Sequence, residues 1–194
     1  MAVNLEKGTS INLEKQSSTK LTKVRVGLGW DASSATGSCD LDVSVFGCKY
    51  NNDGDPKLLS ENFFVFFNNL EAPGIRHSGD NLTGDSTGDD ETIYFDLSKI
   101  PNEIDEIPII VTIYQAAARG HDFGHIQNAY VKLYNDETSE VLGVYNLTND
   151  YAGFQSLQFG SMFKDAEAGN QWAFQAIGVG YNMELNDFLQ EYTA

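Results

Sequence analysis

The chain has 194 residues, room for one β-rich domain that buries about 70% of its unfolded surface and too few for two independent cores. With 41% hydrophobic and 12% aromatic residues it lies outside the composition of disordered chains, and no apolar run nears the roughly 20 residues that span a bilayer. Twelve Lys and Arg against 28 Asp and Glu leave a net charge of −16, which repels phosphate backbones and excludes nucleic acid as an expected partner.

The opening MAVNLEKGTS has neither a basic n-region nor an apolar h-region, so a cytoplasmic protein is expected, with Cys39 and Cys48 as reduced thiols. Val3-Asn4-Leu5-Glu6-Lys7 recurs eight residues later as Ile11-Asn12-Leu13-Glu14-Lys15. The period-two alternation predicts a hairpin turned at Gly8-Thr9-Ser10. Half-buried strands are predicted at Leu21 to Trp30 and Leu41 to Phe46. Further strands are predicted at Phe63 to Phe67, Thr92 to Leu97, Ile109 to Tyr114, Ala129 to Tyr134, Val141 to Leu147 and Trp172 to Val179. Helical pattern is confined to a turn at Ala116 to Gly120, a short segment at Leu157 to Phe163 and a last helix from Glu184 to Tyr192, capped by Asn182 or Asn186. No linker interrupts the chain. The expectation is a single all-β domain over residues 1–194, a β-sandwich of antiparallel sheets with a few short helices including one at the C-terminus.

The chemistry concentrates in His77-Ser78-Gly79-Asp80-Asn81-Leu82-Thr83-Gly84-Asp85-Ser86-Thr87-Gly88-Asp89-Asp90-Glu91. From Asp80 to Glu91 it holds five carboxylates, three hydroxyls and one amide oxygen, with no Lys or Arg to neutralise them. A hard cation such as Ca²⁺ takes 6–8 such oxygens, and Gly79, Gly84 and Gly88 allow the backbone to turn carbonyls inward. Zn²⁺ would call for the His and Cys that Asp80 to Glu91 lacks. The spacing is not that of an EF-hand, so ligands are expected to converge from several loops. Asp31, after the Trp30 strand, and Asp40 and Asp42 are candidates for the second loop. Asp40 and Asp42 share one face of a strand, an unfavourable pairing of like charges unless a cation lies between them. Without a cation the same loop reads as a solvated charge run.

Other groups carry less. His121 and His125 need a helix to act together, and Gly120 and Gly124 argue against one. Nothing beside Cys39 in the sequence lowers a thiol pKa, and Asp40 and Asp42 would raise it. Asn51-Asn52-Asp53-Gly54-Asp55-Pro56 reads as a hairpin turn rather than a further ion site. No poised acid, base or nucleophile is apparent, and no enzymatic activity is expected. His77 is expected to orient the acidic loop by hydrogen bonding.

Taken together, several segments resemble the TerD family of tellurite-resistance and stress-response proteins. They are Leu5-Glu6-Lys7-Gly8, Val26-Gly27-Leu28-Gly29-Trp30-Asp31, Asp40-Leu41-Asp42 and Phe66-Phe67-Asn68-Asn69. His77 to Gly84, Gly88-Asp89-Asp90-Glu91, Phe123-Gly124 with Asn128-Ala129, and Trp172-x-Phe174 with Gly178-x-Gly180-Tyr181 extend the match over nearly the whole chain. The resemblance implies a β-sandwich that binds Ca²⁺, generally at two neighbouring sites, with no established enzymatic activity. Carried over residue by residue, it gives Asp31, Asp40, Asp42, Asp80, Asn81, Asp85, Asp89, Asp90 and Glu91 as metal ligands, with carbonyls near Leu82 and Gly84. Ser86-Thr87 departs from the family, which commonly has an acidic residue there. The expected function is that of a Ca²⁺-binding stress-response protein with protein partners. The alternative is an interaction module whose loop cations are purely structural. An anionic membrane would be reached only through Ca²⁺ bridging.

Overall fold

In the structure, a computed structural model, residues 3–4, 8, 10–12, 21–31, 39–84, 88–147 and 151–194 are described. The first strands are β1 (Val3–Asn4), β2 (Ser10–Asn12), β3 (Lys23–Asp31), β4 (Leu41–Phe46), β5 (Cys48–Tyr50) and β6 (Pro56–Leu58). After a single 3₁₀ turn come β7 (Phe64–Val65), β8 (Glu71–Ala72), β9 (Ile75–His77), β10 (Glu91–Asp96) and β11 (Glu106–Ile113). The short helix α1 (Ala116–Arg119) leads to β12 (Gln127–Asn135), β13 (Val141–Asn146), β14 (Ser156–Asp165), β15 (Gln171–Tyr181) and the terminal α2 (Leu185–Thr193). Among the described residues no helix is long and apolar enough to cross a membrane.

These strands form two facing sheets, as the alternating patterns predict. One has the order β1-β13-β12-β3-β10-β9-β8 and the other β2-β15-β14-β11-β4-β7 with β5 and β6 attached. Pairing is antiparallel except for β1 on β13. Val24, Val26 and Leu28 of β3 face Val43 and Val45 of β4, and Ile93, Val111, Val131 and Phe159 join them in the buried interior. Each such side chain contributes on the order of 1.5–3 kcal/mol when fully buried.

Four expectations change, the last of them at β4. The described parts of the N-terminal repeat do not pair with each other: β1 joins the first sheet and β2 pairs with β15 in the second. Residues 5–7 and 13–15 of the repeat lie outside the described ones. The segment Leu157 to Phe163 is not helical but lies within β14, whose register shifts between Gln158 and Gly160. That irregularity breaks the alternation and mimics a helical period. The cap of α2 is Glu184, closed by Asp187 donating no proton but accepting from the Glu184 backbone N–H at 2.8 Å.

The strand β4 is buried on both faces rather than one. Its odd-numbered residues enter the main core, while Phe46 belongs to a second cluster with Cys48, Phe64, Ile110 and Phe188 that α2 covers. This layer sets the place of the site: Asp42 projects from the same side of β4 as Phe46, beyond the end of the cover.

Candidate metal centre

At one end of the sandwich β3 ends, β4 begins, β9 ends and β10 begins, bringing together three chain segments that carry the acidic residues. Asp40 is anchored by its carbonyl, which accepts from Tyr114 N–H at 2.8 Å. The register of β4 on β11 then places Asp42 opposite Thr112. The loop after β9 is folded locally. Ser78 N–H donates to the Thr92 carbonyl at 2.8 Å, and the Ser78 hydroxyl accepts from Thr92 N–H at 2.9 Å. His77 Nδ1 accepts from Gly79 N–H at 2.9 Å, the orienting role expected from sequence.

Glu91 ties the loop to the strand. It is fully buried, and its Oε2 accepts from Val43 N–H at 2.8 Å while its Oε1 accepts from Asn81 N–H at 3.3 Å. His77 Nε2 lies 3.4 Å from Glu91 Oε2 without hydrogen-bond geometry. Asn81 makes an Asx turn, its Oδ1 accepting from Thr83 and Gly84 N–H at 3.1 and 3.2 Å. Gly84 has φ +64° and packs so tightly on Trp30 that an added Cβ would stand 2.4 Å from the indole nitrogen. That nitrogen donates to the Cys39 carbonyl at 3.1 Å, which joins the acidic loop to the approach of β4.

The result is a convergence of Asp40, Asp42 and Asp80, with one carboxylate oxygen from each lying within 4.8 Å of the others. Asp40 is 7% and Asp42 3% exposed. Asp40 Oδ1 is buried without a hydrogen-bond partner. Burial, reinforced by Glu91, Asp40 and Asp80, pushes the Asp42 carboxyl up to about 8. Burial, then Asp80 and Glu91, pushes Asp40 up to about 6, with Arg119 acting in the opposite direction. Three carboxylates sharing a small volume resist being ionised together, and Arg119 offsets only part of that at Asp40, whose pKa stays raised.

The other sequence-derived ligands fall elsewhere. Asp90 Oδ2 accepts from Trp30 N–H at 2.9 Å and Oδ1 from Asn81 Nδ2 at 3.2 Å. Asp89 lies over Gly27 on the outer face of the first sheet, where Oδ1 accepts from the Tyr130 and Tyr134 hydroxyls at 3.0 and 2.9 Å. Asp31 is exposed, its Oδ2 accepting from Asn128 Nδ2 at 2.5 Å. Burial first, then Asp89, Asp90 and Asp31, raises the Tyr130 hydroxyl pKa, which places these three charges in one neighbourhood. Asp85 lies outside the described residues. The turn at Asn51 is a hairpin, with Asn51 Oδ1 accepting from Asp53 and Asp55 N–H at 2.9 Å.

Both cysteines are free and buried. Cys39 Sγ lies 3.5 Å from His121 Nδ1. Burial raises its pKa, and, contrary to the sequence reading, one neighbour, Arg119, lowers it. Phe67, Leu82, Tyr114 and Arg119 line the cavity beside Asp40, Asp42 and Asp80, and no spacing in the sequence marks them for that place.

The TerD domain family matches residues 1–192. General stress protein 16U of Bacillus subtilis is 39% identical over 196 residues, covering 99% of this chain and 97% of its own. Tellurium resistance protein TerD of Serratia marcescens is 36% identical, with the same two coverages. A solved Streptomyces coelicolor homologue of telluride resistance protein shares the fold, with a TM-score of 0.69, 23% identity and coverage of 87% of this chain and 95% of its own.

Proposed function

Because this chain belongs to the TerD family of tellurium-resistance and stress-response proteins, a family not known for enzymes, we propose that it is a Ca²⁺-binding stress-response protein with Asp40, Asp42 and Asp80 at its first ion. The observation that carries this reading is the buried, unpartnered Asp40 Oδ1 beside two further carboxylates. The donor set is all oxygen, which suits a hard cation and disfavours Zn²⁺. A bound Ca²⁺ supplies charge neutralisation and a cross-link between the start of β4 and the loop after β9. A second ion draws on Asp31, Asp89 and Asp90 beside Tyr130.

On this reading Glu91 and Asn81 position the ligands, Glu91 by tying the Val43 and Asn81 N–H groups together and Asn81 by closing its own turn and donating to Asp90. The protein acts in the cytoplasm through protein partners, avoids nucleic acid and meets anionic membranes only through bridging Ca²⁺. The second reading, a permanently loaded structural ion, is favoured by the near-complete burial of Asp42. Affinity separates the two: a sensor has a dissociation constant of about 10⁻⁷–10⁻⁵ M and a permanently loaded site a lower one.

The test is calorimetric Ca²⁺ titration of chelator-stripped protein together with melting curves. Saturable binding of about two ions and a higher Tm are expected. Asp80→Asn should lose one ion and raise the Tm of the ion-free protein, because it removes a charge from the cluster. No saturable binding by wild type would overturn the Ca²⁺ reading.

A further inference from the structure

Arg119 shares a cavity with Asp40, Asp42 and Asp80 and lowers the Asp40 pKa through its charge, yet among the described residues it makes no direct ion pair with them. Among the described residues its guanidinium rests on the Tyr114 ring, 5.4 Å from the centroid. The backbone beneath it is held from two sides: His121 N–H donates to the Ala116 carbonyl at 2.9 Å, and Ala117 N–H donates to Glu184 Oε1 at 3.2 Å. Arg119 is thus placed by the turn and the Tyr114 ring, and among the described residues no group takes a hydrogen bond from its guanidinium.

The cavity measures about 450 Å³, far more than an ion and its remaining waters fill at about 30 Å³ per water. Its wall contains Phe67 and Tyr114, packed edge to face with centroids 6.4 Å apart, and Leu82, 58% exposed, stands beside them. The half-buried Phe67 ring and the exposed Tyr114 ring beside the Arg119 guanidinium have the character that suits a flat, anionic molecule. The buried Asp40 Oδ1, which has no partner in the structure, marks the carboxylate side of the cavity as the place for positive charge.

We propose that this cavity binds a small phosphate monoester bearing a planar ring, with Arg119 pairing to the phosphate and the ring against Phe67 and Tyr114. The inference rests on the Ca²⁺ reading above, because un-neutralised Asp40, Asp42 and Asp80 would repel the anion. Phosphate suits the place because its several terminal oxygens can meet a guanidinium bidentately and still face the cation side. The ring accounts for the aromatic wall, which a bare ion does not use.

The test titrates the full-length, Ca²⁺-saturated protein with phenyl phosphate, glycerol 3-phosphate and inorganic phosphate, each against a parallel Ca²⁺ titration. Phenyl phosphate is expected to bind at one site, about fivefold more tightly than the two ringless probes. Tyr114→Ala should reduce that preference. Arg119→Gln should weaken phenyl phosphate by about tenfold or more, the loss of a charge-assisted pair. The same substitution should tighten Ca²⁺, since it removes a like charge near Asp40. Ca²⁺ binding without saturable phenyl phosphate binding overturns this inference and leaves the Ca²⁺ reading standing. Failure of Ca²⁺ to bind overturns both, and equal affinity for all three probes overturns the assignment of a ring.

Discussion

Asp89 and Asp42 project from the outer faces of opposite sheets, each with other carboxylates nearby, but their surroundings differ. Asp89 receives hydrogen bonds from two tyrosine hydroxyls above a glycine that leaves room for it. Asp42 is more deeply buried, faces Asp40 and Asp80, and is pushed up to about 8. Hydroxyl donors stabilise one carboxylate within the fold, whereas crowding makes the other group depend on protons or a cation. Acidic residues close in sequence therefore divide between two environments.

The largest effect should come from severing the link that holds the crowded group in place. Glu91→Ala leaves the Val43 and Asn81 N–H groups without their acceptor and should cost about 3 kcal/mol in denaturant unfolding, with Ca²⁺ binding lost as well. Retention of full stability would show that Glu91 does not organise the site. Ca²⁺ itself, at a hundredfold excess over its dissociation constant, should add about 2.7 kcal/mol per bound ion to wild type, and less to Asp42→Asn.

The crowded group should also make the ion-free protein sensitive to pH. The folded-state pKa values of Asp40, about 6, and Asp42, about 8, lie above the ordinary value of 3.8. Between about pH 4 and pH 8 the folded state therefore binds more protons than the unfolded state, and stability falls as pH rises. Melting curves across that window should show the decline, and saturating Ca²⁺ should flatten it. A flat ion-free profile would show that the carboxylates are compensated within the protein.

Asp89→Asn replaces charge-assisted acceptance by neutral hydrogen bonding and should cost about 1 kcal/mol, measured by unfolding of the ion-free protein. Asp31→Asn, at an exposed position, should change ion-free stability by less than about 0.5 kcal/mol. A larger effect from Asp31 than from Asp89 would reverse the assignment of which carboxylate the fold depends on.

Alternation of apolar residues located the long strands because a side chain's face in a strand follows from its own position. The same rule misread β14, where the shift near Gly160 breaks the period, and β4, whose outer face is covered by a helix far along the chain. In the site, the carboxylates and glycines of residues 79–91 were legible as an acidic loop because they are neighbours in sequence. Arg119 was not, since the turn after β11 and the packing of Glu184 on α1 bring it there.

By itself, then, the sequence determined the all-β class, the family and the acidic chemistry, all of which are written in local pattern and residue type. Only the tertiary structure decided that Asp40, Asp42 and Asp80 meet while Asp89 turns to two tyrosines, and that Arg119 and two rings complete the cavity. The reason is physical: burial, partner distance and charge crowding belong to chain segments brought together by sheet pairing, and no short stretch of sequence contains them.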